Sequence, residues 1–216
     1  MAFINGNSSI VTDGLQILYD PSNEQSINNT STAYNVANSS YSGTMTGLAL
    51  PTTTPKYLSF DGTDDKILVS GTLNDATYWT LNFWTKDNGA QNANFERLFG
   101  MSSFRLEIAE DTAGRLRYFE GTWRTTSVYF GTDWVNMVVL RNSSTNKMQI
   151  YKNGELVYTS SASDGRSITG YNMAIGSRYS TSEQWKGFIG CVGIYNRTLS
   201  AAEIAQNYNA LKGRFQ

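Results

Sequence analysis

Two kinds of side chain in this 216-residue sequence are equipped for chemistry: closely spaced carboxylates, and large aromatic rings in polar surroundings. Cleaving a glycosidic bond takes two carboxyl groups about 5–10 Å apart, one as acid and one as base or nucleophile. Glu107-Ile108-Ala109-Glu110-Asp111-Thr112 gathers three carboxylates on one short stretch. It also reads as a strand end entering an Asp-Thr-Ala-Gly turn, a role these residues fill without any reaction. The turn reading is preferred, so no nucleophile is assigned and no enzymatic activity is expected. The chain has no histidine, which removes Ser-His-Asp and Cys-His catalysis, the usual zinc sites and the commonest general base.

A hard cation prefers carboxylate and backbone oxygens, and Asp61, Asp64 and Asp65 in Asp61-Gly62-Thr63-Asp64-Asp65 are the candidate ligands for a structural calcium. The same residues form tight turns without a metal, and both readings stay open. No other cofactor is implied. Sugar binding uses exposed rings that stack on apolar pyranose faces, with polar groups for orientation. Trp123 and Arg124, in Glu120-Gly121-Thr122-Trp123-Arg124-Thr125, are the leading candidates, followed by Tyr171, Tyr179 and Trp185. Core packing or a protein contact competes with sugar binding at each. Trp79, Trp84 and Trp134 lie inside strand patterns and read as core. The single cysteine, Cys191, sits in an aliphatic and small-residue run and reads as a buried, inert thiol.

These groups need a scaffold, and the pattern points to β-structure. Short runs rich in Val, Ile, Thr, Tyr, Phe and Trp alternate with Gly-rich turns, giving about a dozen strands and a sandwich or jelly roll. In Tyr78–Trp84 the side chains Trp79, Leu81 and Phe83 share one face, the signature of a half-buried strand. Asn153-Gly154 predicts a two-residue hairpin. Near the end, Ser200 and Glu203 make a capping box for a helix whose stripe Ile204, Tyr208 and Leu211 lies on the sandwich edge as a clasp.

Residues 20–55 are rich in Ser, Thr and Asn, a composition that also suits disorder. The interspersed Ile27, Tyr34, Val36, Tyr41, Met45 and Leu48 argue instead for a long loop pinned across a surface. The expected organisation is one structural domain: an irregular segment 1–56 that includes a first strand at 15–19, a sandwich over 57–198, and a helix and tail over 199–216. Seventeen Lys and Arg against eighteen Asp and Glu, without a basic block, disfavour nucleic-acid binding. The N-terminus lacks a basic start and an apolar core, and no long apolar run exists, so neither a signal peptide nor a membrane span is expected.

Tyr57–Ile67, Trp79–Trp84, Asp133–Arg141, Ile150–Val157, Ala174–Arg178 and Gly187–Ile204 occur in the order found in laminin-G-like domains. The chain therefore resembles the concanavalin A-like lectin/glucanase group, and the resemblance implies an all-β jelly-roll sandwich of two antiparallel sheets with a short C-terminal helix. Glucanases of that group carry an E-x-D-x-x-E strand. Here Ala109 and Thr112 replace its second and third acids. Relatives also tend to carry an Asp-Glu pair where this chain has Gly190 and Cys191, which weakens the calcium reading. The flanks Gly14–Asn23 and Gln206–Phe215 resemble lectin-like structural proteins of tailed bacteriophages, cyanophages among them. That implies a non-enzymatic virion protein, foremost a capsid decoration protein on the head surface. It would be built as a homo-oligomer, with a trimer expected, and contact the major capsid protein or another virion component. The alternative is a carbohydrate-binding adhesin or tail-fibre module for host-surface polysaccharide, and the remote one is a glycoside hydrolase.

Overall fold

The computed structural model describes residues 9–216 except 51, 53, 90–94, 164 and 180–182. The strands in chain order are β1 (Leu15–Tyr19), β2 (Thr32–Ala33), β3 (Gly43–Thr46), β4 (Leu58–Asp61), β5 (Lys66–Val69), β6 (Thr80–Asp87), β7 (Glu96–Met101) and β8 (Glu107–Glu110). They continue as β9 (Arg115–Phe119), β10 (Trp123–Tyr129), β11 (Val135–Arg141), β12 (Met148–Lys152), β13 (Glu155–Thr159), β14 (Met173–Ile175) and β15 (Lys186–Tyr195), and helix α1 (Ala201–Phe215) closes the chain. One sheet runs β1-β15-β6-β11-β12-β13 with β4 also on β15, and the other runs β10-β9-β8-β7-β14-β5-β3-β2. Every ladder is antiparallel, giving the two-sheet jelly-roll sandwich expected from the sequence.

The core lies between the sheets. Trp79, Leu81 and Phe83 meet Phe99, Ile108, Leu116 and Tyr118 there, all without exposed surface. Strand β6 is not half-buried as its alternation predicts. Its other face is covered as well, because α1 lies across the outer face of the first sheet. Trp84 stacks on Tyr208 and Phe215 of the helix, with ring centroids 5.8 and 4.8 Å away. The helix is therefore a lid on a face, not a clasp on an edge, and it reaches to Phe215 where a tail was expected. Its start is as predicted: the Ser200 side chain accepts from the Glu203 backbone, and Glu203 accepts from the Ser200 N–H. At the hairpin, Asn153 and Gly154 both take positive φ, 53° and 85°, as a tight β12–β13 turn requires.

Segment 20–55 holds two short strands that the composition hides. β3 pairs with β5 and β2 with β3, so the segment extends the second sheet. Ile27, Met45 and Leu48 anchor it in the core, while Tyr34 is exposed. Trp134 also departs from expectation. It is half-buried beside Tyr57 and Phe215, outside the central core.

Candidate functional site

Alternation along the strands decides which side chains meet on the outer face of the second sheet. On β9, Leu116 and Tyr118 point inward, so Arg115, Arg117 and Phe119 point outward. Across the β9–β10 ladder Trp123 stands opposite Phe119 and Thr125 opposite Arg117. On the other side, Glu107 of β8 stands opposite Phe119, and Arg97 of β7 opposite Ala109. The outer face thus presents Trp123, Phe119, Arg117, Glu107 and Arg97 as one neighbourhood.

A strap from the β14–β15 connection crosses this face at Gly100. A Cβ there would lie 2.8 Å from the Ser177 carbonyl oxygen and 2.9 Å from the Arg178 Cα, so only glycine lets the strap lie this close. The strap closes a ring of alternating charge. Arg97 Nε donates to Glu107 Oε2 at 2.8 Å, and Arg178 Nε donates to Glu107 Oε1 at 3.1 Å. Arg178 Nη1 donates to Glu183 Oε2 at 3.0 Å, and Arg97 Nη2 lies 3.2 Å from the same oxygen. Arg97 Nη1 also holds the Phe95 carbonyl. Beside this ring, Trp123 leans on Phe119 and stacks with Phe95, with centroids 5.3 and 6.0 Å away. The guanidinium carbons of Arg97 and Arg117 lie 4.7 and 4.8 Å from the Trp123 centroid. Trp123 is half-buried and held on several sides, a rigid ring with little left to order when a ligand arrives.

The predicted site residues separate accordingly. Trp123 lies on this face, and the backbone of half-buried Tyr179 crosses it in the strap. Arg124, next to Trp123 in sequence, points to the opposite side of β10, as period-2 alternation demands. Arg97 and Arg117 supply the cations instead. Tyr171 packs against the core beneath Arg105, whose guanidinium carbon is 5.2 Å from its ring. Trp185 overturns its assignment: it has no exposed surface and packs on Phe130 in the core, so no ring face is open to a sugar. Cys191 is buried as expected, and desolvation pushes its thiol well above the ordinary range.

The carboxylates divide too. Glu107 and Glu110 are three residues apart on one strand and so face opposite sides, Glu107 outward and Glu110 between the sheets. Glu110 there meets Asp87 and Glu96, one oxygen of each lying within 4.8 Å of the others, a buried grouping that no local pattern announces. Asp111 caps its turn, accepting from the Ala113 and Arg115 backbones and from the Arg115 guanidinium. Burial raises its pKa less than those hydrogen bonds and the Arg115 charge lower it, so the carboxyl sits below its usual range.

Asp61, Asp64 and Asp65 also bring one oxygen each within 4.8 Å of one another, a donor set that suits a hard cation. Asp65 Oδ2 already accepts the Asp61 N–H at 2.6 Å, and Asp61 Oδ1 the Thr63 N–H at 2.7 Å, the bonds of a self-sufficient turn. Away from these groups, an open groove of about 460 Å³ is lined by Ser22, Thr54, Pro55, Lys56, Gly213 and Arg214, none of them aromatic.

Comparison with solved structures finds the same fold in enzyme-associated and toxin domains. Trypanosoma rangeli sialidase superposes with a TM-score of 0.71 at 14% identity over 94% of this chain, which spans about a third (34%) of the sialidase. Domain 4 of AbnA, an extracellular GH43 arabinanase of Geobacillus stearothermophilus solved with arabinotriose, gives 0.67 at 15% identity, covering 90% of this chain and 98% of that domain. The binding domain of botulinum neurotoxin serotype D/C gives 0.68 at 14% identity, covering 93% and 53%. A search of curated protein sequences finds no match. The family model described as the concanavalin A-like lectin/glucanases superfamily, of laminin G type, matches residues 61–205. That stretch runs from the end of β4 into α1 and takes in both sheets, and the chain belongs to this family.

Proposed function

We propose that the protein is a non-enzymatic glycan-binding module and that Trp123 is the ring on which a sugar stacks. The observation that carries this reading is the immobilised, half-buried Trp123 on the outer face of the second sheet, braced by Phe119, Phe95 and two guanidinium groups. The arabinotriose bound to the AbnA domain lends support from a domain of the same fold and size. The absence of hydrolysis is argued from Glu107 and Glu110, which face opposite sides of β8 and so do not flank one bond. The test is affinity electrophoresis across a panel of polysaccharides, with reducing-end release measured in parallel. Retention by at least one polymer, lost in Trp123→Ala at unchanged Tm, is expected. Retention that survives Trp123→Ala, or released reducing ends, sinks the reading.

A second reading concerns the setting. The two flanking segments that resemble phage virion proteins pack together: Arg214 binds Asp20 through both Nη atoms at 3.0 and 2.7 Å. They lie on the helix-covered side of the sandwich, opposite Trp123. This arrangement suits an anchoring face toward a capsid or tail protein, in a trimer or other symmetric oligomer, with the glycan face outward. Copy number per particle by quantitative mass spectrometry tests it, and absence from purified virions ends it.

A further inference from the structure

We propose that the Trp123 face is selective for sugars bearing a carboxylate, and that Arg117 is the group that receives it. The inference rests on the glycan-binding reading and adds the ligand's charge.

The argument starts from charge pairing on the face. Arg97 and Arg178 are balanced by Glu107 and Glu183 in the closed ring. Arg115 is balanced by Asp111, at 2.8 Å. Arg117 is left over. Among the described residues it makes no hydrogen bond and no ion pair, and its Nε is shielded from water without an acceptor. A guanidinium carries five donors in a planar fork, so an acceptor is missing where the geometry offers several.

The surroundings of Arg117 fix where this charge sits. Its guanidinium carbon lies 4.3 Å from the Phe95 centroid and 4.8 Å from that of Trp123, so ring faces fix its position. Desolvation and the like charges of Arg97 and Arg115 lower its pKa, opposed by Asp111. Nε is closed to water and so to a ligand, but Nη1 and Nη2 are not, and an anion in front of them supplies acceptors and relieves the repulsion. A planar carboxylate matches the fork bidentately. A uronic acid carries such a group at the edge of a ring whose apolar face suits an indole, so Trp123 and Arg117 together describe a carboxylated pyranose. A neutral sugar satisfies only the first.

The test compares polygalacturonate with its fully methyl-esterified form, the same backbone without the charge, by isothermal titration at about physiological salt. Wild type is expected to bind the acid polymer about tenfold or more tightly than the ester. Arg117→Gln is expected to remove that difference. Arg117→Lys, which keeps the charge and loses the fork, is expected to keep only part of it. Arg115→Gln removes an equal charge from the same face and is expected to bind as wild type. Equal binding of acid and ester, or equal losses in Arg115→Gln and Arg117→Gln, overturns the proposal. Tighter binding of a sulfated polymer such as dextran sulfate than of polygalacturonate also overturns it. Any of these outcomes leaves the Trp123 reading standing, whereas no retention of any polymer, neutral or acidic, removes both.

Discussion

Arg97 and Glu107 form a 2.8 Å ion pair in which the two side chains are 2% and 1% exposed. Two charges seldom leave water together unless further bonds complete their geometry. Here they are completed by Arg178 and Glu183 from the strap and by the Phe95 carbonyl. The pair therefore does two things: it holds the β7–β8 register, and it docks the strap over the sheet. Removing one partner strands the other in a dry site. Glu107→Ala is expected to destabilise the fold by about 3–5 kcal/mol in urea denaturation and to expose the strap to protease. A loss below about 1 kcal/mol, the size of a surface pair, shows that water reaches Arg97 after all.

Gly100 sets the height of the same strap. Its backbone is not in the left-handed region, so the constraint is space alone. Gly100→Ala puts a methyl carbon against the Ser177 carbonyl and the Arg178 Cα. An overpacked contact with backbone costs about 1–3 kcal/mol. Part of it is expected as a lifted strap, read as faster amide exchange at Arg178 and Tyr179. Unchanged exchange and stability dispose of the close approach.

How much of this face was legible depends on distance along the chain. Trp123 announced itself as a large ring in a polar stretch, and Ser200 with Glu203 announced the helix start, because both signals are local. Arg97 and Arg117 did not, since their proximity arises from the order β7-β8-β9 and from registers that one sequence does not display. Parity was available: Trp123 and Arg124 are adjacent, and adjacent strand residues face opposite ways. The same parity separates Glu107 from Glu110. Burial of β6 on both faces was hidden because its cover, α1, lies more than a hundred residues downstream. Trp185 misled for a related reason, since its polar neighbours in sequence say nothing of Phe130, which packs on it.

Asp65 is a carboxylate the fold holds at a disadvantage. Burial first, and then the charges of Asp61 and Asp64, raise its pKa, against the Asp61 N–H that lowers it. A folded-state pKa above the unfolded one means that ionisation is penalised in the native protein. The penalty is absent below about pH 4, the ordinary carboxylate value, and complete above the raised one. Asp65→Asn keeps an oxygen for the Asp61 N–H and removes the charge. With chelator present, it is expected to raise Tm at pH 7 and to leave it unchanged near pH 3. A lower Tm at pH 7 means the charge itself is held by more than this turn.

Glu203 has the opposite sign. The Arg197 guanidinium, at 2.6 and 3.1 Å, is the chief cause that pulls its carboxyl down to about 2, aided by the Ser200 N–H and hydroxyl and opposed by partial burial. A folded pKa below the unfolded value of 4.5 means that the stabilisation is complete above pH 4.5 and disappears as pH falls toward 2. Because the side chain is 29% exposed, solvent screens the pair and the contribution is discounted to about 1 kcal/mol. Glu203→Gln preserves the reciprocal bond of the capping box and removes the charge facing Arg197. The variant is expected to be less stable at pH 7 by about that amount and to match wild type near pH 2, giving a shallower acid limb in a Tm-against-pH profile. Parallel limbs place the acid sensitivity elsewhere, because a group that never changes charge cannot bend the curve.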